Sequence, residues 1–475
     1  SLTSAKQFSP TSTSLSAQIR SCSIFRFDVW FIFLIDSPRF QRTCYLNFFK
    51  LFFFVNVKKR AMPLLNGYLK PQKIYLETFG CTANMGDTMK LRALMRKNGH
   101  ELVEESEADV VIVNTCTVTK RTELNVIKRL QELKYEGKEV VVAGCMAAAQ
   151  PELIKSILGE EVPLVTPRDI GDEYREDEEL DFDGVVSIIP IAMGCVGTCS
   201  YCVVKQARGE LISYAPEKIR HAVKSAVDRG VKEIRITSQD CSAYGWEKLG
   251  SFKLPELLEM VTSVEGDFRV RVGMMNPFTV IHILDELLEA FDSEKIFKFF
   301  HVPVQSGSDK VLREMRRDYK AADFIEIVKS IRKRFHYSIL CTDFIIGFPT
   351  ETEEDFLSSL SLLEEVKPEK VNITRFSPRP GTEAANLKDL LEREKKRRSR
   401  IFSSLYRTIV FEKHKELEGK KLPILITEKG KKGGVMGRDP AYRMVVLHED
   451  LPLGGSHTAR IKEAKSTYLM GEVVA

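Results

Sequence analysis

Between Lys73 and Ser377 short β-branched runs keep returning, each separated from the next by a longer stretch of helical periodicity. Strand–helix–strand alternation forces parallel pairing, because a parallel neighbour can be reached only through a crossover of a dozen or more residues. KIYLETF (73–79), DVVIVNT (109–115) and EVVVAGC (139–145) predict a small parallel α/β domain over residues 72–168. The acidic stretch DIGDEYREDEELDFDG (169–184) is too poor in apolar residues to pack a core and reads as a linker. The alternation then resumes over residues 185–412. Its strands are VVSIIPIAM (185–193), KEIRITS (232–238), FRVRVGM (268–274), FKFFHVPV (297–304), SILCTDFIIG (338–347) and EKVNITRFS (369–377). Six βα units suit a partial (βα)6 barrel rather than a closed eight-fold one. The fold class is therefore multidomain α/β.

Beyond Leu387 the chain changes character. KDLLEREKKRRSRIFSSLYRTIVFEKHKELEGKK predicts a long helix with its apolar stripe packed down and its Lys and Arg in water or on RNA. Residues 413–475 alternate short strands with Gly-rich turns and predict a small antiparallel β-barrel, OB-like in kind. There GKKGG, Arg438, Tyr442 and Arg443 interleave basic and aromatic groups that suit phosphates and stacked bases. The formal charge of +5 is compatible with nucleic acid without arguing for it. Residues 1–61 look foreign to the rest. The runs VWFIFLI and YLNFFKLFFFVNV are too short to span a membrane, Lys50 interrupts the second, and no small-residue cleavage site follows. This segment reads as upstream sequence or a disordered extension with Met62 as the functional start; a membrane anchor is the alternative.

Ten cysteines in so long a chain are too few for a disulfide scaffold, and their clustering near strand ends favours metal ligation in a reducing compartment. Cys195, Cys199 and Cys202, in CVGTCSYC, follow the first strand of the six-unit block, where α/β ligands gather. Three thiolates can hold three irons of a [4Fe–4S] cluster and leave the fourth open. Zinc usually shows two Cys-x-x-Cys pairs where this stretch has one, and chance alone would seldom place three cysteines on one tight loop. Cys81, Cys116 and Cys145 each sit at the carboxyl end of a strand of the first domain. Any one alone would read as a buried structural cysteine. Three in the same topological place read as a second ligand set. Cys241 and Cys341 have no partners at ligand spacing and read as core or pocket wall, and His301 as a satisfied core histidine.

The CxxxCxxC spacing, with Tyr201 before its last cysteine, resembles the radical S-adenosylmethionine superfamily. ETFGCTANMGD, VIVNTCTV, VVAGCMA, HVPVQSGSDKVLREMRRDY, TDFIIGFPTETEEDF and RFSPRPGT resemble the methylthiotransferase family, and the carboxy-terminal segment its TRAM RNA-binding domain. The likeness runs from Lys73 to Val474 and leaves out residues 1–61. It implies two [4Fe–4S] clusters and S-adenosyl-L-methionine. The set at Cys195, Cys199 and Cys202 would generate a deoxyadenosyl radical, and the set at Cys81, Cys116 and Cys145 would carry the methylated sulfur. Tyr201, Gln305, Ser306, Asp343 and Gly347 would face the cofactor.

Members of the family modify an adenosine beside the tRNA anticodon or an aspartate of a ribosomal protein. CSYCVVKQARGELISY, TSQDCSAYG and VGMMNP are most similar to the archaeal and eukaryotic branch acting on N6-threonylcarbamoyladenosine, with isopentenyladenosine or the ribosomal aspartate as alternatives. A non-catalytic, metal-containing RNA-binding protein is the alternative of another class. The threonylcarbamoyl carboxylate calls for a basic residue, and Arg208 and Arg379 are the candidates, each equally well read as half of a structural ion pair. Arg438 and Tyr442 would meet the RNA. The expected partners are tRNA and a flavodoxin- or ferredoxin-like electron donor, with the sulfur source left open. The protein is expected to be a cytoplasmic monomer, of archaeal type because the chain ends without an anchor.

Overall fold

β1 (Lys73–Thr78), β2 (Glu101–Leu102), β3 (Val110–Thr115), β4 (Glu139–Gly144) and β5 (Leu164–Val165) form a parallel sheet in the order β2-β1-β3-β4-β5. The computed structural model describes residues 71–171, 182–430 and 433–474; the expectations for residues 1–61 and for most of the linker lie outside them. All six positions of β3 are buried, as its unbroken apolar run requires of a central parallel strand. Helix α1 (Thr82–Lys97) follows β1, and α2 (Lys120–Tyr135) follows β3. The Thr119 side chain caps α2 by accepting the Thr122 amide at 3.2 Å. Val126, Leu130 and Leu133 turn one face of that helix onto the sheet.

The middle of the chain sets β6 (Val186–Pro190) beside β9 (Glu233–Thr237) and β10 (Arg269–Arg271). It also sets β11 (Phe299–His301) beside β12 (Ile339–Ile346) and β13 (Lys370–Arg375). Parallel bridges at Val270–Ile296 and Met274–His301 link the two halves, so the expected run of parallel strands is continuous. A short antiparallel pair, β7 (Ala192–Met193) with β8 (Ile212–Ser213), frames the loop that carries Cys195. Alternate strand residues, among them Ile234, Ile236, Val270, Phe300, Leu340 and Phe344, enter one large core beneath the crossover helices. Phe300 stacks on Phe291 with centroids 4.3 Å apart, and Phe344 meets Phe402 at 4.7 Å. Phe402 belongs to the long helix, here α3 (Glu392–Lys415). Two of its cations do not face water as expected. Lys395 and Arg398 are buried because Asp389 and Phe376 O take the first, and Glu351 and Glu394 the second.

The remaining strands are β14 (Lys421–Lys429), β15 (Val435–Arg438), β16 (Met444–Leu447), β17 (Ser456–Ala464) and β18 (Leu469–Val474). They close a barrel in the order β14-β15-β16-β18-β17. One pairing departs from the antiparallel expectation: β16 and β18 run parallel. Closing an odd number of strands leaves one neighbouring pair pointing the same way.

Tyr442 and Arg438 require a correction. Rather than offering a stacking surface to RNA, the Tyr442 ring is wedged against Phe297 (4.9 Å) and Phe299 (5.3 Å) of the parallel-sheet region. Its hydroxyl donates to the buried Glu233 carboxylate at 2.5 Å. Arg438 is held on Glu428, which also takes Arg235. Tyr442 has φ 71°, a left-handed conformation stabilised by Asp439, whose carboxylate accepts the Ala441 and Arg443 amides. The second oxygen of Glu233 is buried without a partner. Tyr442→Phe therefore leaves that carboxylate poorer still and should cost about 1–3 kcal/mol. The expected result is a lower thermal midpoint with unchanged affinity for RNA, read by calorimetry and by titration with labelled RNA.

Candidate active site

β1, β3 and β4 are neighbours, so Cys81, Cys116 and Cys145 issue from three adjacent strand ends. Two glycines let the loops close up. A side chain at Gly80 (φ 127°) would come within 2.6 Å of Cys116 Cβ and 3.2 Å of its sulfur. One at Gly144 (φ 92°) would strike Asn114 Oδ1 at 2.3 Å. Asn84, in the first turn of α1, ties the three loops together. Its amide nitrogen donates to Phe79 O (2.9 Å) and Thr115 O (2.8 Å), and its Oδ1 lies 3.6 Å from Cys145 Sγ.

The other three cysteines follow β7. The Cys195 amide donates to Gly209 O, and the Gly197 amide approaches Cys195 Sγ at 3.3 Å. Ser200 fastens the loop from the far side, its amide to Met315 O (3.1 Å) and its hydroxyl to Glu314 O (2.8 Å). Arg317 reaches Cys199 Sγ at 3.4 Å, Tyr319 Oη at 2.9 Å and Pro303 O at 3.3 Å. Burial is the main influence on four of these thiols. It pushes Cys116 and Cys195 up to about 12 and Cys202 up to about 11, and raises Cys145 against the opposing charge of Arg208. Cys116, Cys145, Cys195 and Cys202, raised this way, suit ligation by a metal cation that takes the proton's place, as in an iron–sulfur cluster. Among the described residues all of these cysteines are free thiols.

The matching family models are the Radical SAM superfamily over residues 189–363, the uncharacterized protein family UPF0004 over 73–165, and the TRAM domain over 415–474. A relative from Pyrococcus abyssi is 42% identical over 429 residues, covering 85% of this chain and 100% of its own. One from Archaeoglobus fulgidus is 40% identical over 423 residues, 85% of this chain and 99% of its own. Both are named "Probable threonylcarbamoyladenosine tRNA methylthiotransferase". The chain belongs to the threonylcarbamoyladenosine tRNA methylthiotransferase family. A Xenopus laevis member is 32% identical over 449 residues, 88% of this chain and 80% of its own. Among solved structures, a radical S-adenosylmethionine methyltransferase from Kitasatospora setae aligns with a TM-score of 0.49 and 13% identity, over 66% of this chain and 77% of that one.

In this methylthiotransferase-family chain both arginines proposed for the substrate carboxylate are already taken by protein carboxylates. Arg208 is buried on Asp87 (2.5 Å) and Asn84 (2.8 Å) of α1. Arg379 is buried on Glu123 (2.6 Å) and on Thr117 O (3.1 Å), one residue beyond Cys116. Burial works against the Glu123 charge, but Lys120, Gln150 and Arg379 together hold its carboxyl below the usual range. The residues expected at the cofactor also differ in what they can offer. The Ser306 hydroxyl accepts the Ser308 amide and faces Ser359, so it is turned into the protein. Gly347 gives its amide to Glu351 and lies against Lys395, whose side chain fills the space a Cβ would need. Tyr201 packs with Val311, Met315, Phe348 and Phe376. Gln305 keeps the expected place at a strand end, with a left-handed φ of 70° and backbone bonds to Asp343 O and the Ile345 amide. Asp343 accepts from His301 Nε2 (2.9 Å) and Asn372 Nδ2 (2.7 Å). His301, Cys341 and Asp343 bring ligand atoms within 4.8 Å of one another, but this carboxylate oxygen is already doubly hydrogen-bonded.

Sequence reasoning missed Asn84, Asp87, Glu123 and Arg317. Asn84 and Asp87 are three and six residues past Cys81, on the helix that the cysteine loop begins, which is the one local hint they gave. Breaking the Arg208 pair should be expensive. Arg208→Met strands a buried Asp87 and should cost about 3–5 kcal/mol, and adding Asp87→Leu should restore much of it. Thermal melting of both full-length variants checks this.

Proposed function

We propose that this chain converts N6-threonylcarbamoyladenosine beside the tRNA anticodon to its 2-methylthio derivative, as its relatives are named for doing. The observation that carries the reading is the pairing of two three-cysteine sets through Arg208. The short helix Val204–Arg208 begins two residues after Cys202, and its last residue grips the first turns of the helix that Cys81 opens. In this reading Cys195, Cys199 and Cys202 hold one [4Fe–4S] cluster, and Cys81, Cys116 and Cys145 hold the other. When bound, the clusters and S-adenosylmethionine supply the carbon radical and the methylated sulfur.

The protein's part is placement. Gly80 and Asn84 gather the second cysteine set, while Ser200 and Arg317 brace the first. Arg317 also puts a permanent positive charge beside Cys199. Asp240 faces Cys195 from a buried niche made by Ser242, Thr279 and the Asn276 amide. Burial raises its carboxyl against those bonds. The TRAM match supports tRNA as the macromolecular partner. A flavodoxin- or ferredoxin-like protein delivers the electron, and the enzyme works as a cytoplasmic monomer. Among the described residues no helix is long and apolar enough to cross a membrane.

Anaerobic reconstitution followed by iron analysis tests the cluster assignment. The unaltered chain should hold about eight irons, and a variant that loses one set about four. Cys199→Ala should abolish S-adenosylmethionine cleavage. Cys116→Ala should keep some cleavage yet form no methylthio nucleoside by mass analysis of the digested tRNA. Full product from Cys116→Ala would sink the assignment of that set as sulfur carrier.

A further inference from the structure

With Arg208 and Arg379 committed to Asp87 and Glu123, the cation that would meet the substrate carboxylate must lie elsewhere. The parallel strands offer it on the face turned away from the crossover helices. That face carries Glu233 and Arg235 on β9, Arg271 on β10, Phe299 and His301 on β11, Cys341 and Asp343 on β12, and Lys370 and Asn372 on β13. Arg271 lies over the Phe299 ring, its guanidinium carbon 5.0 Å from the centroid, with Tyr442 at 5.9 Å on the barrel side. The Lys370 ammonium stands 5.9 Å from the same Phe299 centroid. Among the described residues neither cation makes an ion pair, and Arg271 Nε is buried with no hydrogen-bond partner. The nearby carboxylates are largely used: Glu233 Oε1 by Arg235 and Tyr442, Glu428 by Arg235 and Arg438, and Asp343 by His301 and Asn372, while Glu233 Oε2 is buried without a hydrogen-bond partner. Arg271, with its Nε buried and unpartnered, and the exposed Lys370 thus stand near one aromatic ring without an ion pair, and an anion arriving there would satisfy the buried guanidinium edge.

Resting on the proposed function, we propose that Arg271 and Lys370, seated on Phe299, receive the carboxylate of the threonylcarbamoyl group, while the adjoining Asn372–Asp343–His301 row meets its hydroxyl and urea atoms. The position fits the chemistry. His301 lies two residues before Pro303, whose carbonyl takes the same Arg317 that reaches Cys199. The row therefore begins close to the radical-forming loop and runs toward the carboxy-terminal barrel. Burial opposes charge on His301, but Cys341 and Asp343 outweigh it and hold the imidazole up at about 10, so it adds a further positive donor at neutral pH. An isopentenyl group offers Arg271 Nε no acceptor, so the same wall disfavours that alternative.

The test uses the reconstituted full chain and anticodon stem-loop RNAs. One carries N6-threonylcarbamoyladenosine, the other its methyl ester, which keeps shape and hydroxyl but removes the negative charge. The unaltered enzyme should favour the acid by about tenfold or more in kcat/KM. Arg271→Met and Lys370→Met should each lower kcat/KM on the acid by about ten- to a hundredfold, while the ester falls far less, so that discrimination collapses. Arg271→Lys should recover part of it. An equal fall on both RNAs, or no fall on either, overturns the subsite. If Arg271→Met fails to fold, Lys370→Met, at an exposed edge-strand position, decides alone. Failure of the unaltered enzyme to modify either RNA would instead overturn the proposed function, and the subsite with it.

Discussion

Two buried guanidinium–carboxylate clamps, Arg208 on Asp87 and Arg379 on Glu123, hold the amino-terminal sheet against the six-strand block. Their partners are 121 and 256 residues apart in sequence. Each clamp also borders a cysteine: Arg208 shares Asn84 with Cys145, and Arg379 takes the carbonyl next to Cys116. A buried ion pair is a poor source of net stability, since desolvation of both charges offsets most of the attraction. Its use here is geometric. Planar forks bonded at fixed angles define how far one cysteine set stands from the other more tightly than a greasy interface of similar area could.

This arrangement explains why the arginines were misleading in the sequence. A basic residue beside a motif looks like a ligand for an anionic substrate, and nothing local distinguishes it from half of a distant ion pair. The cysteines were legible because their signal is local. Cys81, Cys116 and Cys145 each follow their own strand, and strand order in a parallel sheet brings carboxyl ends together whatever the loops contain, while Cys195, Cys199 and Cys202 share one loop. The strand–helix rhythm was legible for the same reason, down to the limits of β1, β3, β4 and β12 within a residue or two. Tyr442 was not, because its partner Glu233 is 209 residues away and its role depends on which end of the barrel faces the sheet. Lys395 and Arg398 were hidden by their neighbours, since a helix rich in cations reads as wet until the buried carboxylate across from it is known.

The polar wall around Arg271 follows from the two-sided character of these strands. Parallel strands usually bury both faces in apolar side chains. Here the helix side obeys that rule while the other side carries Arg, Lys, His, Asp and Asn, a pattern that wastes stability unless something polar is received there. The carboxy-terminal barrel covers part of this face and contributes Tyr442 to it.

The left-handed turn at Tyr442 ties the shape of the barrel to that of the sheet. Asp439 binds the Ala441 and Arg443 amides from within the barrel, while Tyr337 donates to its other oxygen and the Lys298 amide donates to Pro440 O. The turn that aims the ring at Phe299 is therefore held from both sides of the seam. Loosening either side would free the ring and open the Arg271 wall to solvent.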